Sequence, residues 1–241
     1  MYSKKTIHIL SILVVLSLIR PNHSAALDLQ SFKPYLGLEY SQRSLNMVEG
    51  YGKGLFVKRL PQGNVFFGLK LNDYIGIEAG YLFSQAATRT TYSTEGSQIF
   101  GSLVAGPGEF FVADSTINLF GPHINFQAYL PIGTTPFAGI GSLGFSLITL
   151  KARFKPLGDI DDLIYPPDAV EILTRHFSST KLVSHIMGGL GYQMTNSINI
   201  RFLMGLETTS RFKNITPQEV SSFKMNLKNN SIANLGFTYS F

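Results

Sequence analysis

Apolar and polar residues alternate with a period of two along most of the chain beyond residue 32. This period is typical of β-strands with one apolar and one polar face. In the segment 198–207, for example, Ile198, Ile200 and Phe202 share one face, whereas Asn199 and Arg201 share the other. The alternation predicts eight strands, at 33–41, 63–72, 74–84, 116–130, 136–150, 181–194, 198–207 and 232–241.

The pattern is interrupted in two of these strands. Pro122 lies within the fourth strand, and because proline is tolerated mainly at bulges and strand starts, we expect a bulge or the strand's upper rim there. In the fifth strand the apolar phase slips between Ile140 and Leu143. The slip predicts a β-bulge near Gly141 and Ser142.

The connections between the predicted strands alternate in length. Three are short, at 72–73, 131–135 and 195–197, and the first has the residues of a two-residue hairpin turn. Four are long, at about 42–62, 86–115, 151–179 and 210–230. Beyond the first 26 residues no run of 18 apolar residues is present, so the sequence offers no membrane helix. Together these features predict an eight-stranded antiparallel up-and-down transmembrane β-barrel, with the long loops external.

A water-soluble barrel is the main alternative fold. A lipocalin-like barrel turns its apolar face inward and leaves its charged residues outside. Here glycines such as Gly37, Gly68 and Gly80 occupy the polar face, where a soluble barrel needs bulky apolar side chains. The pattern therefore favours the transmembrane barrel.

The first 26 residues predict a secretory signal peptide, with a basic start, an apolar centre and small residues before a cleavage site at Ala26. An N-terminal membrane anchor is the alternative, although the apolar run is shorter than the ~20 residues of a spanning helix. Cleavage would leave residues 27–241 as the barrel domain. It would also remove Lys4, Lys5 and Arg20, lowering the net charge from +5 by three to +2, so nothing favours nucleic-acid binding. The absence of cysteine excludes disulfides, thiolate metal sites and a lipidated cysteine.

Three segments resemble strands of a known family. PFAGIGSLGFS, GGLGYQMTNSINIRFLMGLE and the ending NLGFTYSF resemble small OmpA-like and OmpX-like outer-membrane barrels. The resemblance implies a protein of the Gram-negative outer membrane, in contact with outer-membrane lipid and lipopolysaccharide. It implies that Phe241, with Tyr239 and Phe237 in phase, is the signal read by the barrel-assembly machinery. Because the sequence stops at Phe241, we expect the peptidoglycan-binding domain that follows the barrel in full-length OmpA to be missing. A looser resemblance, through PFAGIG and the long loops, is to the surface antigens of intracellular Gram-negative bacteria.

The polar faces bring charged and amide side chains into the predicted interior. We expect a polar network of Glu39, Lys70, Glu78, His123, Gln127, Lys181, His185, Arg201 and Glu207. Counting back across the 195–197 turn places His185 opposite Glu207, close enough for a cross-strand pair. Because buried charges must be paired and a barrel of this size is filled by side chains, a plugged lumen is expected. A narrow porin-like channel is the alternative.

A lipid-modifying barrel enzyme is a second alternative, because serine, histidine and acidic residues are all present. No Gly-x-Ser-x-Gly motif occurs, however, and the sequence fixes no hydroxyl beside His123 or His185. Asp159, Asp161 and Asp162 lack the spacing and the glycine of a calcium-binding loop. We therefore expect no catalytic residue, cofactor or metal site.

Function is expected in the long loops, since a scaffold leaves recognition to them. The fourth loop carries Arg211, Lys213, Lys224 and Lys228 against Glu219, a basic patch that suits lipopolysaccharide phosphates or host polyanions. An ordinary solvated loop is the alternative. The sequence thus predicts a non-enzymatic surface barrel, a structural scaffold whose loops act as adhesin or surface antigen toward host ligands.

Overall fold

The computed structural model describes residues 32–45, 56–93, 98–100, 103–104, 111–159, 174–208, 210–214, 223–227 and 230–241. Nearly all of them belong to thirteen strands: β1 (Lys33–Ser44), β2 (Arg59–Lys70), β3 (Ile75–Ser84), β4 (Ala87–Ser93), β5 (Gln98–Phe100), β6 (Leu103–Val104), β7 (Phe111–Pro131), β8 (Phe137–Asp159), β9 (Arg175–Gln193), β10 (Ile198–Glu207), β11 (Ser210–Asn214), β12 (Phe223–Leu227) and β13 (Ser231–Ser240). Within these ranges, no helix has the length and apolar character that crossing a membrane requires. The predicted signal peptide, 1–26, lies outside the described residues.

Nine of the strands form one antiparallel sheet that closes into a ring. Their order is β3-β2-β1-β13-β10-β9-β8-β7-β4, and a further pairing between β3 and β7 closes it. β3 and β4 pair with successive parts of β7, residues 120–128 and 111–117, so they share one position in the wall. The wall therefore has eight positions, which confirms the predicted eight-stranded antiparallel barrel. The hairpins β5–β6 and β11–β12 form separate two-stranded sheets.

Several strands continue beyond their predicted ends. β7, β8 and β9 contain 21, 23 and 19 residues, about twice the ~9–11 that a tilted strand needs to cross a bilayer. The predicted extent of the 151–179 loop is therefore wrong, because β8 reaches Asp159 and β9 begins at Arg175. The predicted loops 42–62, 86–115 and 210–230 also contain strand residues, including all of β4 and the hairpin β11–β12. Where their side chains are described, the outward residues of these stretches are mostly polar, such as Thr88, Lys151 and Arg153, so the apolar alternation that marked the strands did not reveal them.

Side chains that bond to the backbone hold the short turns. Asn72 Oδ1 accepts hydrogen bonds from the backbone N–H groups of Tyr74 and Ile75, both at 2.8 Å. The connection is thus the four residues 71–74, and the predicted two-residue turn is wrong because the Asn72 side chain closes a wider one. Thr195 acts in the same way before β10, where its Oγ1 accepts from the N–H of Ile198 at 3.0 Å.

The two predicted bulges do not occur at their expected places. The β7–β8 register is the same on both sides of Pro122 and continuous through Gly141 and Ser142. Pro122 faces outward within the regular register. The apolar phase slips at residue 140 because Ile140 points inward, where it packs in a small buried cluster with Tyr129, Met187 and Leu203. The register shifts instead between Val112 and Ala113.

The wall has two parts that differ in which face is apolar. In the first part of β8, Ser146 is buried inside and Leu143 is exposed outside. Farther along the same strand, Leu150 is buried inside and Lys151 is exposed outside. We call the part with an apolar outer face the band segment; in β7, β8 and β9 it comprises 120–131, 137–147 and 182–193. The part with a polar outer face, comprising 111–119, 148–159 and 175–181 together with β4, is the extension.

Candidate functional site

The most densely bonded group of side chains crosses the interior of the band segment. Arg201 on β10 lies between Glu39 on β1 and Glu78 on β3. Its Nη2 atom is 2.7 Å from Glu39 Oε1 and 3.0 Å from Glu78 Oε2, and its Nη1 atom donates to Glu78 Oε1. Because β3 and β10 are four steps apart in the eight-position ring, the Arg201–Glu78 contact joins opposite walls of the lumen.

Further donors complete the coordination of Glu78, which is fully buried. The Tyr35 hydroxyl donates to Oε1 at 2.7 Å, and Gln127 Nε2 donates to Oε2 at 2.8 Å. The Arg201 guanidinium also lies over the Phe66 ring, with Cζ 4.4 Å from the ring centroid. Paired and hydrogen-bonded in this way, the buried charges avoid most of the desolvation cost that isolated charges incur.

A second layer links amides and histidines above these ion pairs. Asn64 Nδ2 donates to Glu39 Oε2 at 2.9 Å, and Asn64 Oδ1 accepts from His123 Nε2 at 2.7 Å. The Asn64–Glu39 bond fixes the orientation of the amide, so the proton on His123 is assigned to Nε2. His185 Nε2 lies 2.9 Å from Asn125 Oδ1.

Two glycines make room for these side chains. A Cβ atom at Gly37 would overlap the Phe66 ring, and one at Gly144 would overlap Asn125 Oδ1 and the His185 ring. These contacts explain why small residues occupy the inner face beside large ones: each wide side chain fills the volume that a glycine on a neighbouring strand leaves open.

A separate ion pair lies higher in the barrel. Arg43 Nη2 is 2.7 Å from Glu207 Oε1, and both side chains are at most 4% exposed. His185 and Glu207 are register partners, as predicted, but the pair expected between them does not form. Glu207 pairs instead with Arg43, which extends toward it from β1, while His185 bonds to Asn125.

An apolar layer fills the lumen of the extension. Its buried members are Leu45, Phe56, Leu60, Ile117, Leu119, Ile148, Leu150, Ala152, Val183 and Phe212. Where this layer meets the Arg43–Glu207 pair, beside Leu119 and Ile148, the remaining cavity volume is about 0 Å³. Side chains therefore fill the lumen at this level as well.

The described interior contains two further cavities below that layer. One of about 300 Å³ lies at the end with the short turns and is lined in part by Lys70, Tyr129 and Arg201. The other, about 30 Å³, lies beside His123 and His185, which is room for about one water molecule. The Arg201 ion pairs lie between these two regions and touch both, since Arg201 lines the first and Glu39 the second.

The two predicted lysines lie outside the carboxylate network. Lys70 is half-buried near the short turns, with Nζ 4.7 Å from the Tyr129 ring centroid. Lys181 is exposed where β9 passes into the extension, opposite Ile148. Placing Lys181 in the interior network was wrong, because the lumen at this level is apolar.

The predicted loop patch lies on the hairpin β11–β12 and just beyond it. Arg211 and Lys213 belong to β11 and Lys224 to β12, and their side chains lie outside the described part, as does the whole of Lys228. The predicted assembly residues Phe237, Tyr239 and Phe241 all face outward and are 52%, 52% and 70% exposed. Tyr239 and Phe241 stack edge to face, with ring centroids 5.5 Å apart.

Sequence reasoning missed Arg43 and Asn64. Arg43 continues the inner-face phase two residues beyond Ser41, the end of the first predicted strand, and Asn64 lies on the inner face of the predicted strand 63–72, two residues before Phe66. Extending the first strand by one period, and reading the second from its start, would have found them. Among the described residues, no group of three His, Asp or Glu side chains is arranged to hold a metal ion.

Comparison with known proteins identifies one matching protein family and several solved structures with a fold similar to that of this chain. The model of the outer membrane protein β-barrel domain matches residues 11–241. No curated protein sequence matches the chain significantly.

Solved structures with a similar fold include three outer-membrane proteins. Ail, the attachment invasion locus protein of Yersinia pestis, is 12% identical and covers 87% of this chain and 97% of its own, with a TM-score of 0.43. OprG from Pseudomonas aeruginosa is 12% identical, with coverage of 87% and 96% and a TM-score of 0.48. The outer membrane protease OmpT from Escherichia coli is 10% identical, with coverage of 91% and 99% and a TM-score of 0.39.

Proposed function

The chain belongs to the outer membrane protein β-barrel domain family, and from this premise we propose that it is a non-conducting scaffold that displays its extension outside the outer membrane. The observation that carries the proposal is the double closure of the lumen. The Arg201–Glu78 ion pair joins opposite walls of the band segment, and the apolar layer fills the extension above it.

The dimensions of the two parts support this placement. The band segment of β8 spans 137–147, about the length that a tilted strand needs to cross the hydrocarbon core. Its outward residues Leu143, Phe145 and Leu147 suit lipid, whereas the outward Lys151 and Arg153 of the extension suit water. In barrels of this kind the short turns face the periplasm, so the extension belongs on the cell surface.

Electrical measurement tests the closed lumen. The refolded full chain, inserted into a planar lipid bilayer, is expected to show no discrete conductance steps. Reproducible steps from several independent preparations would contradict the proposal. They would favour the alternative of a narrow channel.

Labelling of intact cells tests the orientation. The chain has no cysteine, so single cysteines report without background. A membrane-impermeant maleimide is expected to label Tyr92→Cys, exposed on β4, but to label Asn196→Cys, exposed in a short turn, only after lysis. Labelling of Asn196→Cys alone on intact cells would reverse the proposed orientation.

We further propose that the displayed part acts in surface contact, as adhesin or surface antigen. The basic residues of the hairpin β11–β12 support this role. Replacing Arg211, Lys213, Lys224 and Lys228 by Gln while keeping Phe212, which packs in the apolar layer, is expected to weaken binding to host cells. Lys33→Gln at the opposite end of the barrel is the control, and equal binding by both variants would reject the role.

The arrangement gives an enzyme little support. His123 and His185 bond through Nε2 to amide oxygens of Asn64 and Asn125, not to a hydroxyl group that they could activate. Both imidazoles are buried inside the closed lumen, away from lipid substrates.

A further inference from the structure

Two adjacent basic residues stand on the outer face of β8 just above the band segment. Lys151 and Arg153 are exposed and share the outward face with Leu147. They are two positions apart on an extended strand, which places their Cα atoms roughly 7 Å apart. Their side chains therefore reach the same small group bound against the wall.

The neighbouring strands place no carboxylate opposite either residue. Lys151 has Asn118 on β7 and Ser178 on β9 as its register partners. Arg153 has Thr116 and His176. Lys155, the next basic residue along β8, differs because it stands opposite Asp114, which is diagonal to Arg153. The two positive charges of β8 nearest the band segment thus have no carboxylate as a register partner.

The outer surface becomes apolar and exposed two outward positions below Lys151, beyond the hydrogen-bonded pair Thr149–Thr180. Leu147 and Leu182 are register partners on β8 and β9, and they are 47% and 68% exposed. Lys151 Nζ lies 5.1 Å from the ring centroid of Phe120, which pairs with Thr149 one outward position nearer the band. The ammonium group is therefore held at the upper edge of the band segment.

A basic pair above an exposed apolar surface matches one class of ligand in the outer leaflet. An amphiphile whose acyl chains lie along Leu147 and Leu182 would bring a headgroup phosphate to Lys151 and Arg153, where charge-assisted hydrogen bonds are strong. The flanking Thr116, Asn118 and Ser178 offer partners for sugar hydroxyls. We infer that this surface of β8 is a binding site for the phosphorylated glycolipid of the outer leaflet, lipid A. The inference rests on the proposed orientation, with the extension outside.

Binding of lipid A to the purified full chain in detergent micelles tests the inference. The variant Lys151→Gln/Arg153→Gln is expected to bind lipid A that carries two phosphates at least about tenfold more weakly than the unaltered chain. After enzymatic removal of the phosphates, the two proteins are expected to bind equally. The matched control is Lys58→Gln/Arg59→Gln, which removes the same charge at the end of β2, where Pro61 and Gly63 replace the exposed leucines.

Three results would overturn the site: unchanged binding by the β8 variant, an equal loss in the control, or an equal difference with dephosphorylated lipid. Retention of heat-modifiable gel mobility shows that each variant is folded, because the exchanged residues are exposed. The conductance and labelling experiments do not depend on Lys151 or Arg153. A failure here is therefore distinguishable from a failure of the scaffold proposal.

Discussion

The band segment and the extension are built by the same strands but for opposite surroundings. Along β8, Leu143 faces outward and Ser146 inward, whereas Leu150 faces inward and Lys151 outward. The same reversal occurs on β7, where Ile124 is exposed beside lipid while Leu119 is buried in the lumen. The β7–β8 register is the same on both sides of the boundary between the two parts. The comparison shows that the surrounding medium, lipid or water, decides which face of a strand must be apolar.

The two parts also close the lumen by different interactions. In the band segment, ion pairs and hydrogen bonds between opposite walls are directional, and each removed partner leaves a buried charge. In the extension, apolar side chains close the lumen by packing, and each removed group leaves a cavity. We therefore expect substitutions to lower the stability most at the ion pairs, less in the apolar layer and least on the outer surface.

The largest effect is expected from breaking the ion pairs. Arg201→Met leaves Glu39 and Glu78 buried without their cation. It is expected to lower the free energy of unfolding by about 3–5 kcal/mol, measured by circular dichroism during unfolding in urea. Arg59→Met, at an exposed position, is expected to cost less than about 0.5 kcal/mol. Conductance is expected to stay absent because the apolar layer remains. Adding Glu39→Gln and Glu78→Gln should recover part of the loss; without recovery, the unpaired carboxylates are not its cause.

A smaller effect is expected from a cavity in the extension. Leu150→Ala removes a side chain that is 1% exposed in the apolar layer and is expected to cost about 3 kcal/mol. Leu143→Ala is the matched control on the same strand, since lipid fills the space that the shortened side chain leaves. Hydrogen exchange should show faster opening of 148–159 in Leu150→Ala, with 137–147 still protected. Equal behaviour of the two variants would mean that the interior of the extension is not packed as a core.

The smallest effects are expected from charges placed on the outer surface. Leu143→Lys puts an ammonium group against lipid and is expected to cost about 2 kcal/mol. Thr149→Lys, three outward positions farther along β8, is expected to cost close to nothing because water reaches that face. Unfolding in lipid vesicles measures both. A large cost at Thr149 would move the membrane boundary into the extension.

The sequence was sufficient for the band segment because lipid imposes one rule on every outward residue. Ile198, Phe202 and Leu206 all lie on the outward face of β10, and both ends of that strand match the prediction. The inner-face phase likewise placed Glu39, Glu78 and Arg201 on the interior side, where the structure brings them together. The sequence also supported the short connections, although the way Asn72 closes the first one depends on a side-chain contact.

Only the tertiary structure decided which side chains pair and where the lumen closes. Glu207 has His185 as its register partner, yet Arg43 binds it, because a side chain inside a narrow ring contacts residues across the lumen as readily as those beside it. The extension was not predicted because its apolar residues face inward. From the sequence alone, its alternation therefore looks like a change of phase or like a loop. What the sequence by itself determined was the period of two and the face that meets lipid. Closure of the ring determined the ion pairs and the apolar layer, since both depend on strands far apart in the chain.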